Sequence, residues 1–201
     1  MKNVLFFLAM FAVVNLSATQ KVNVMNVGDE ATLTDVKMKC VSGKMVSLAE
    51  VKGENGLLVI FSCNTCPFVL RWENRYPELK KYADENGVGM IVLNSNYQKR
   101  DGDDSFEAMV AHAKEKGYNF PYVVDEESRI ANAFGGQTTP HVFLFDKHMK
   151  LAYKGLIDDN AQSAADVKKP YVKDALKSLG NGGKIAVTST PPKGCSIKRL
   201  L

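Results

Sequence analysis

Cys63 and Cys66 stand two residues apart, and two thiols at that spacing can attack a disulfide and then close on each other. They follow five apolar residues, Leu57 to Phe61, the length of a strand buried on both faces. Pro67 comes directly after Cys66, and its missing N–H suits it to the first turn of a helix. A buried strand therefore hands two thiols to a helix start, where unpaired N–H groups and the helix dipole favour thiolate over thiol. Cys63, nearer solvent at the helix start, is expected to be the more acidic, attacking thiolate. Cys66 would then resolve the mixed disulfide.

Other uses of the pair fit less well. A zinc site asks for a second pair of ligands, and His112, His141 and His148 are scattered without ligand spacing. No metal is expected, and the histidines read as surface or boundary residues. Covalent haem needs a histidine directly after the second cysteine, where Pro67 stands. A structural disulfide stays open, because exported chains often carry them. Cys40 lies outside any motif and reads as a small buried residue, whereas Cys195 is a thiol in a mobile arm. Asp101, Asp103 and Asp104 lack the spacing of a calcium loop and read as solvated or capping.

The elements that must position the thiols alternate along the chain. Thr32 to Cys40 and Met45 to Leu48 flank Val41-Ser42-Gly43-Lys44 as a hairpin ahead of the buried strand. Phe68 to Asn86 has a helical apolar face, with Pro77 either kinking it or dividing it into two helices. Val88 to Leu93 is a strand, and a capping box at Asp104-Ser105-Phe106-Glu107 starts a helix that runs to Gly117. A strand at Pro121 to Val124 and a helix at Ser128 to Phe134, closed by Gly135-Gly136, come next. A hairpin of Val142 to Phe145 with Leu151 to Ile157 and a helix from Pro170 to Leu179 complete the order, which fits a mixed sheet with helices on both faces.

With 201 residues, 45% of them apolar and 24% charged, the chain can bury one good core, so a single domain is expected over 20–180. An arm, 181–201, carries Cys195. The charge of +4 comes without a basic cluster interleaving aromatics, so nucleic acid is not expected as a partner. Residues 1–19 read as a signal peptide: Lys2, an apolar run from Val4 to Val14, then small residues allowing cleavage after Ala18 or Thr19. The run is too short for a membrane anchor, so no integral membrane segment is expected after cleavage. The expected location is periplasmic or otherwise extracytoplasmic.

The stretch Phe61-Ser62-Cys63-Asn64-Thr65-Cys66-Pro67-Phe68-Val69, with Arg75 downstream, resembles the thioredoxin-like branch of the AhpC/TSA superfamily. So, in the same order, do Asp104-Ser105-Phe106-Glu107-Ala108-Met109, Gly117 to Tyr122, Asp125-Glu126, Thr139-Pro140 and Val142 to Asp146. Tyr153-Lys154-Gly155, Ile157 to Asn160 and Gly194-Cys195-Ser196-Ile197-Lys198 follow. The resemblance covers about residues 27 to 199 and implies an α/β, thioredoxin-like fold and thiol redox chemistry. It implies that Pro140 is the cis-proline opposite the Cys-x-x-Cys helix, shaping the substrate groove. Thr139, Arg75 and Cys195 are auxiliary candidates.

Ser62 stands where thioredoxins have Trp, and the strand before the motif lacks their buried carboxylate. A peroxiredoxin has Pro-x-x-x-Thr-x-x-Cys, whereas the residue three before Cys63 is Ile60 and the one three before Cys66 is Cys63. The expected activity is that of an exported thiol-disulfide oxidoreductase without a bound cofactor. Its partners would be disulfide-containing proteins or small thiols, with an external thiol reductant. The alternatives are a peroxiredoxin-like thiol peroxidase and a binding domain with a structural disulfide.

Overall fold

A computed structural model describes residues 23–200 of the chain; the proposed signal peptide lies outside them. The N-terminal hairpin is shorter than the apolar pattern suggests: β1 is Met38–Lys39, β2 is Met45–Val46, and the two pair antiparallel. Leu48, expected in the hairpin, instead begins α1, Leu48–Val51. Ser47 and Glu50 exchange side-chain and backbone hydrogen bonds across its first turn, and this capping box overrides the strand pattern.

The apolar run forms β3, Gly56–Ser62, with every residue buried. After the cysteines come α2, Pro67–Trp72, a 3-10 turn at Glu73–Arg75, and α3, Tyr76–Glu85. The long helical pattern thus divides in two. Proline has no N–H to give to the carbonyl of residue 73, so the chain restarts its helix with Pro77 in the first turn, where that loss costs nothing. Next are β4, Val88–Asn94, and α4, Phe106–Glu115, whose cap is one residue later than expected: the Ser105 hydroxyl accepts from the Ala108 N–H. Asp104 is left free for another use. Then follow β5, Tyr122–Val124; α5, Arg129–Phe134; β6, Thr138–Thr139; β7, His141–Asp146; and β8, Leu151–Gly155. The chain ends with α6, Tyr171–Gly180, and β9, Cys195–Ser196.

Five strands make the central sheet, in the order β5-β4-β3-β7-β8, parallel on one side of β3 and antiparallel on the other. Alternate residues of each strand serve opposite faces. Leu58, Ile60, Val92, Tyr122 and Leu144 pack under Trp72, Tyr76, Leu79, Met109 and Leu176, which α2, α3, α4 and α6 supply. Leu57, Val59, Phe61, Leu93 and Phe143 meet Leu48, Ile130 and Phe134 from α1 and α5, with Met38 and Cys40 beside them. Each such large apolar side chain stabilises the fold by about 1.5–3 kcal/mol when buried. Both faces of β3 are thereby fixed, and so is the point at which it releases Ser62 and Cys63.

The arm after α6 is docked against the body. Lys154 N–H donates to the Thr188 carbonyl and Thr190 N–H to the Lys154 carbonyl, which places the arm along β8. Beyond it, β9 pairs antiparallel with β6, setting Cys195 opposite Thr139, and Ile197 N–H donates to the Gln137 carbonyl. A mobile Cys195 is therefore not what the fold produces. Among the described residues no helix is long and apolar enough to cross a membrane.

Candidate active site

The C-terminal ends of parallel strands are where open α/β sheets place their sites, and Ser62 of β3 is in register with Asn94 of β4 there. Cys63 leaves the sheet at this edge. Asn64 and Thr65 turn the chain, and Cys66 caps α2 with Pro67 in its first turn. Thr139 and Pro140 enter from the other side of β3, joined by a cis peptide bond as the resemblance implies.

Both sulfurs reach Thr139. The Cys63 Sγ lies 3.4 Å from its hydroxyl, and the Cys66 thiol donates to its carbonyl at 3.2 Å. Cys63, Cys66 and Val69 form a buried apolar cluster on which Phe68 and Cys195 pack. The expected order of exposure is reversed, since Cys63 is 2% exposed and Cys66 is 6%. The first cysteine follows directly on β3 and lies against the Thr139 hydroxyl, whereas the second has reached the helix start.

The charge follows that geometry. When one proton leaves the pair, the Cys63 thiol donates to Cys66, and the Cys195 thiol and Val69 amide add to this; together they outweigh burial and pull Cys66 down to about 4. Cys63 is pushed up because it is that donor, because it is buried, and because the Asp104 charge faces it; the Thr139 hydroxyl opposes this only in part. Cys195 is pushed up by burial and by donating to Cys66. The helix-start position and these donors make Cys66 the more acidic thiol of the pair.

A buried polar network holds the loop between the cysteines. Asp104, read from sequence as capping or solvated, is fully buried. Its carboxylate accepts from the Asn64 N–H at 2.8 Å, the Asn94 amide at 2.7 Å and the Asn96 amide at 3.0 Å. Tyr122 donates to Asn64 Oδ1 at 2.8 Å and accepts from Asn94 at 3.0 Å. On the far side of the loop the Ser62 and Tyr76 hydroxyls are 3.1 Å apart. Sequence reasoning missed this set. The signal available was Asn94-Ser95-Asn96, three polar residues directly after a buried strand that neighbours the cysteine strand.

Other candidates fall elsewhere. Arg75 makes a 3.0 Å ion pair with Asp158 and donates to the carbonyls of Arg71 and Asn160, so it ties α2 and the turn after it to the segment after β8. His141 is buried in β7, not at the surface, and its Nδ1 accepts from the Gln137 N–H. Burial, aided by Lys154 and Arg199, pulls it down to about 3, so it is neutral. His112 is half-buried at the boundary, as expected, 2.7 Å from Glu73. Cys40 is buried on the opposite face of the sheet, as expected.

Known proteins resemble the chain in sequence and in fold. The chain is 29% identical over 133 residues to the thiol-disulfide oxidoreductase ResA of Bacillus thuringiensis, a match covering 63% of this chain and 68% of that protein. A hypothetical protein of Sinorhizobium meliloti superposes with a TM-score of 0.79 at 30% identity, over 89% of this chain and 97% of that one. The peroxidoxin BcpB of Mycobacterium tuberculosis superposes at 0.58 and 16% identity, over 77% and 96%, and shares the thioredoxin-like fold. The Redoxin family profile matches residues 26–176. With the thiol pair at the end of β3 and the proline loop facing it, the chain belongs to the Redoxin family.

Proposed function

We propose that the protein is an exported thiol-disulfide oxidoreductase in which Cys66 attacks the substrate disulfide and Cys63 resolves it. The observation that carries this is the proximity of two thiols, one at a helix start with donors around it, to the Thr139–Pro140 loop. In the first step the Cys66 thiolate takes one substrate sulfur and expels the other as thiolate. In the second, Cys63 loses its proton to the departing sulfur and attacks Cys66, leaving Cys63–Cys66 oxidised by two electrons and the substrate reduced. An external thiol restores the dithiol. Pro140 borders the place where the substrate backbone would lie, and Thr139 orients both sulfurs.

The rim suits a polypeptide. Phe68 packs on the thiols and Leu70 is 47% exposed. The Arg71 guanidinium and the Lys193 ammonium stand 5.6 and 6.0 Å from the Phe68 ring centre. Peroxide reduction would also need donors to hold the peroxide; Arg75 is committed to Asp158, and Cys63 occupies the place of a peroxiredoxin threonine. Export rests on Lys2, the apolar run of residues 4–14 and the small residues that follow it, and an intact mass from the native host beginning at Met1 would refute it. The reduced protein should reduce insulin much faster than it consumes hydrogen peroxide. Fast peroxide consumption with little insulin reduction would replace this reading with the peroxidase.

A further inference from the structure

Cys195 stands apart from the Cys-x-x-Cys motif by more than half the chain, yet three separate contacts deliver it to Cys66. The β9–β6 register sets it opposite Thr139, whose carbonyl receives the Cys66 thiol. Gly194 presses on that same carbonyl so closely that a Cβ there would come within 2.2 Å of the oxygen. Lys198 N–H donates to Asn96 Oδ1 at 2.9 Å, and Asn96 in turn donates to Asp104, the carboxylate that holds the Cys63–Cys66 loop. Arm and loop are thus parts of one hydrogen-bonded unit. Cys195 packs on the thiol cluster and is only half buried, the most accessible sulfur of the three.

We propose that Cys195 is a second resolving thiol, so that Cys66 alternates between two partner sulfurs and the docked arm takes part in turnover. This rests on the reading of Cys66 as nucleophile. The Cys66 thiolate first attacks a disulfide R–S–S–R, forming Cys66–S–S–R and releasing one RS⁻. Cys195 then attacks Cys66 Sγ, its proton passing to the second RS⁻ as the Cys66–SR bond breaks. The substrate gains two electrons and Cys66 and Cys195 lose two. Cys63 next attacks Cys66 in the new disulfide, forming Cys63–Cys66 and returning Cys195 to the thiol. An oxidising equivalent enters at the accessible edge and is stored in the buried pair.

Single-turnover release of mercaptoethanol from bis(2-hydroxyethyl) disulfide tests this in the full chain, with folding of each variant checked by circular dichroism. Wild-type protein should release two equivalents, and an acid quench at early times should show a Cys66–Cys195 peptide that gives way to Cys63–Cys66. Cys63→Ser should still release two and accumulate Cys66–Cys195. Cys63→Ser with Cys195→Ser should stop at one, as a mixed disulfide on Cys66. Cys63→Ser with Gly194→Ala, which keeps both remaining thiols but lifts the arm, should slow the second release at least tenfold. Release of one equivalent by Cys63→Ser, or no early Cys66–Cys195 peptide in wild type, overturns the proposal. Release of none by wild type overturns the oxidoreductase reading itself. One equivalent from Cys66→Ser with none from Cys63→Ser would reverse the nucleophile and remove the relay with it.

Discussion

Cys40 follows β1, bridges to Val123, and is enclosed by the apolar face that α1 and α5 cover. Cys195 ends the chain's last excursion, bridges to Thr139, and shares its surroundings with two other sulfurs. Both are isolated in sequence and both are held by backbone pairing. The difference lies in what the paired strand carries: Val123 offers Cys40 only side chains to pack on, while Thr139 offers Cys195 a carbonyl and a hydroxyl already engaged with thiols. Burial alone does not make a thiol inert or reactive. Its neighbours decide whether a proton can leave.

The largest test of this contrast is deletion. Cys66→Ser should lower insulin reduction by about 10³-fold or more, since no other group supplies the nucleophile, while Cys40→Ala leaves the rate unchanged. Equal losses from the two would erase the distinction. Acidity offers the next test. Cys66 is pulled down to about 4 by its donors, so at pH 6 it should already react as a thiolate. Iodoacetamide followed by peptide mapping should label Cys66 at a rate that is flat from pH 5 to 8. A Cys66 rate rising tenfold per unit across that range would show that it is an ordinary thiol.

Two smaller effects separate the polar end of the sheet from its apolar face. Asp104→Ala leaves the Asn64 N–H and the Asn94 and Asn96 amides without their acceptor. The cost should be roughly 3 kcal/mol in urea unfolding, with a loss of activity from a loosened cysteine loop. Full stability in that variant would mean the network is dispensable. His141 gives the smallest. Its folded value, lowered from 6.5 to about 3, means the unfolded chain binds a proton that the folded chain refuses. Stability is complete above about 6.5 and falls as the pH drops from there toward 3, by about 2 kcal/mol at pH 5. His141→Asn, which keeps an acceptor for the Gln137 N–H, should flatten the melting temperature between pH 7 and 5; an unchanged slope would show that the imidazole is already hydrated.

The sheet was legible because its strands are written as apolar runs: Leu57 to Phe61 and Val88 to Leu93 have no other way to be buried. The thiol pair was legible from spacing, and the break in the first long helix from Pro77. What the pattern did not show depends on contacts distant in sequence. Asp104 looks like a helix cap until β3 and β4 place Asn64 and Asn94 around it. Cys195 looks like a tail residue until β6 gives it a partner. Helix start and strand end were both visible near the motif, but which cysteine takes the start is decided by the turn at Asn64 and Thr65, and no periodicity encodes that turn.

The pairing of β9 with β6 also imposes an order in time. The ribosome finishes all five strands of the central sheet, and both cysteines of the motif, before it makes Cys195. A nascent or partly folded chain can therefore possess a two-sulfur centre with its rim open, and acquires the third sulfur only when the last segment anneals beside Thr139. Maturation in an oxidising compartment would then have a preferred first product, the local Cys63–Cys66 bridge. Errors that join Cys195 to Cys40 are disfavoured by that sequence of events.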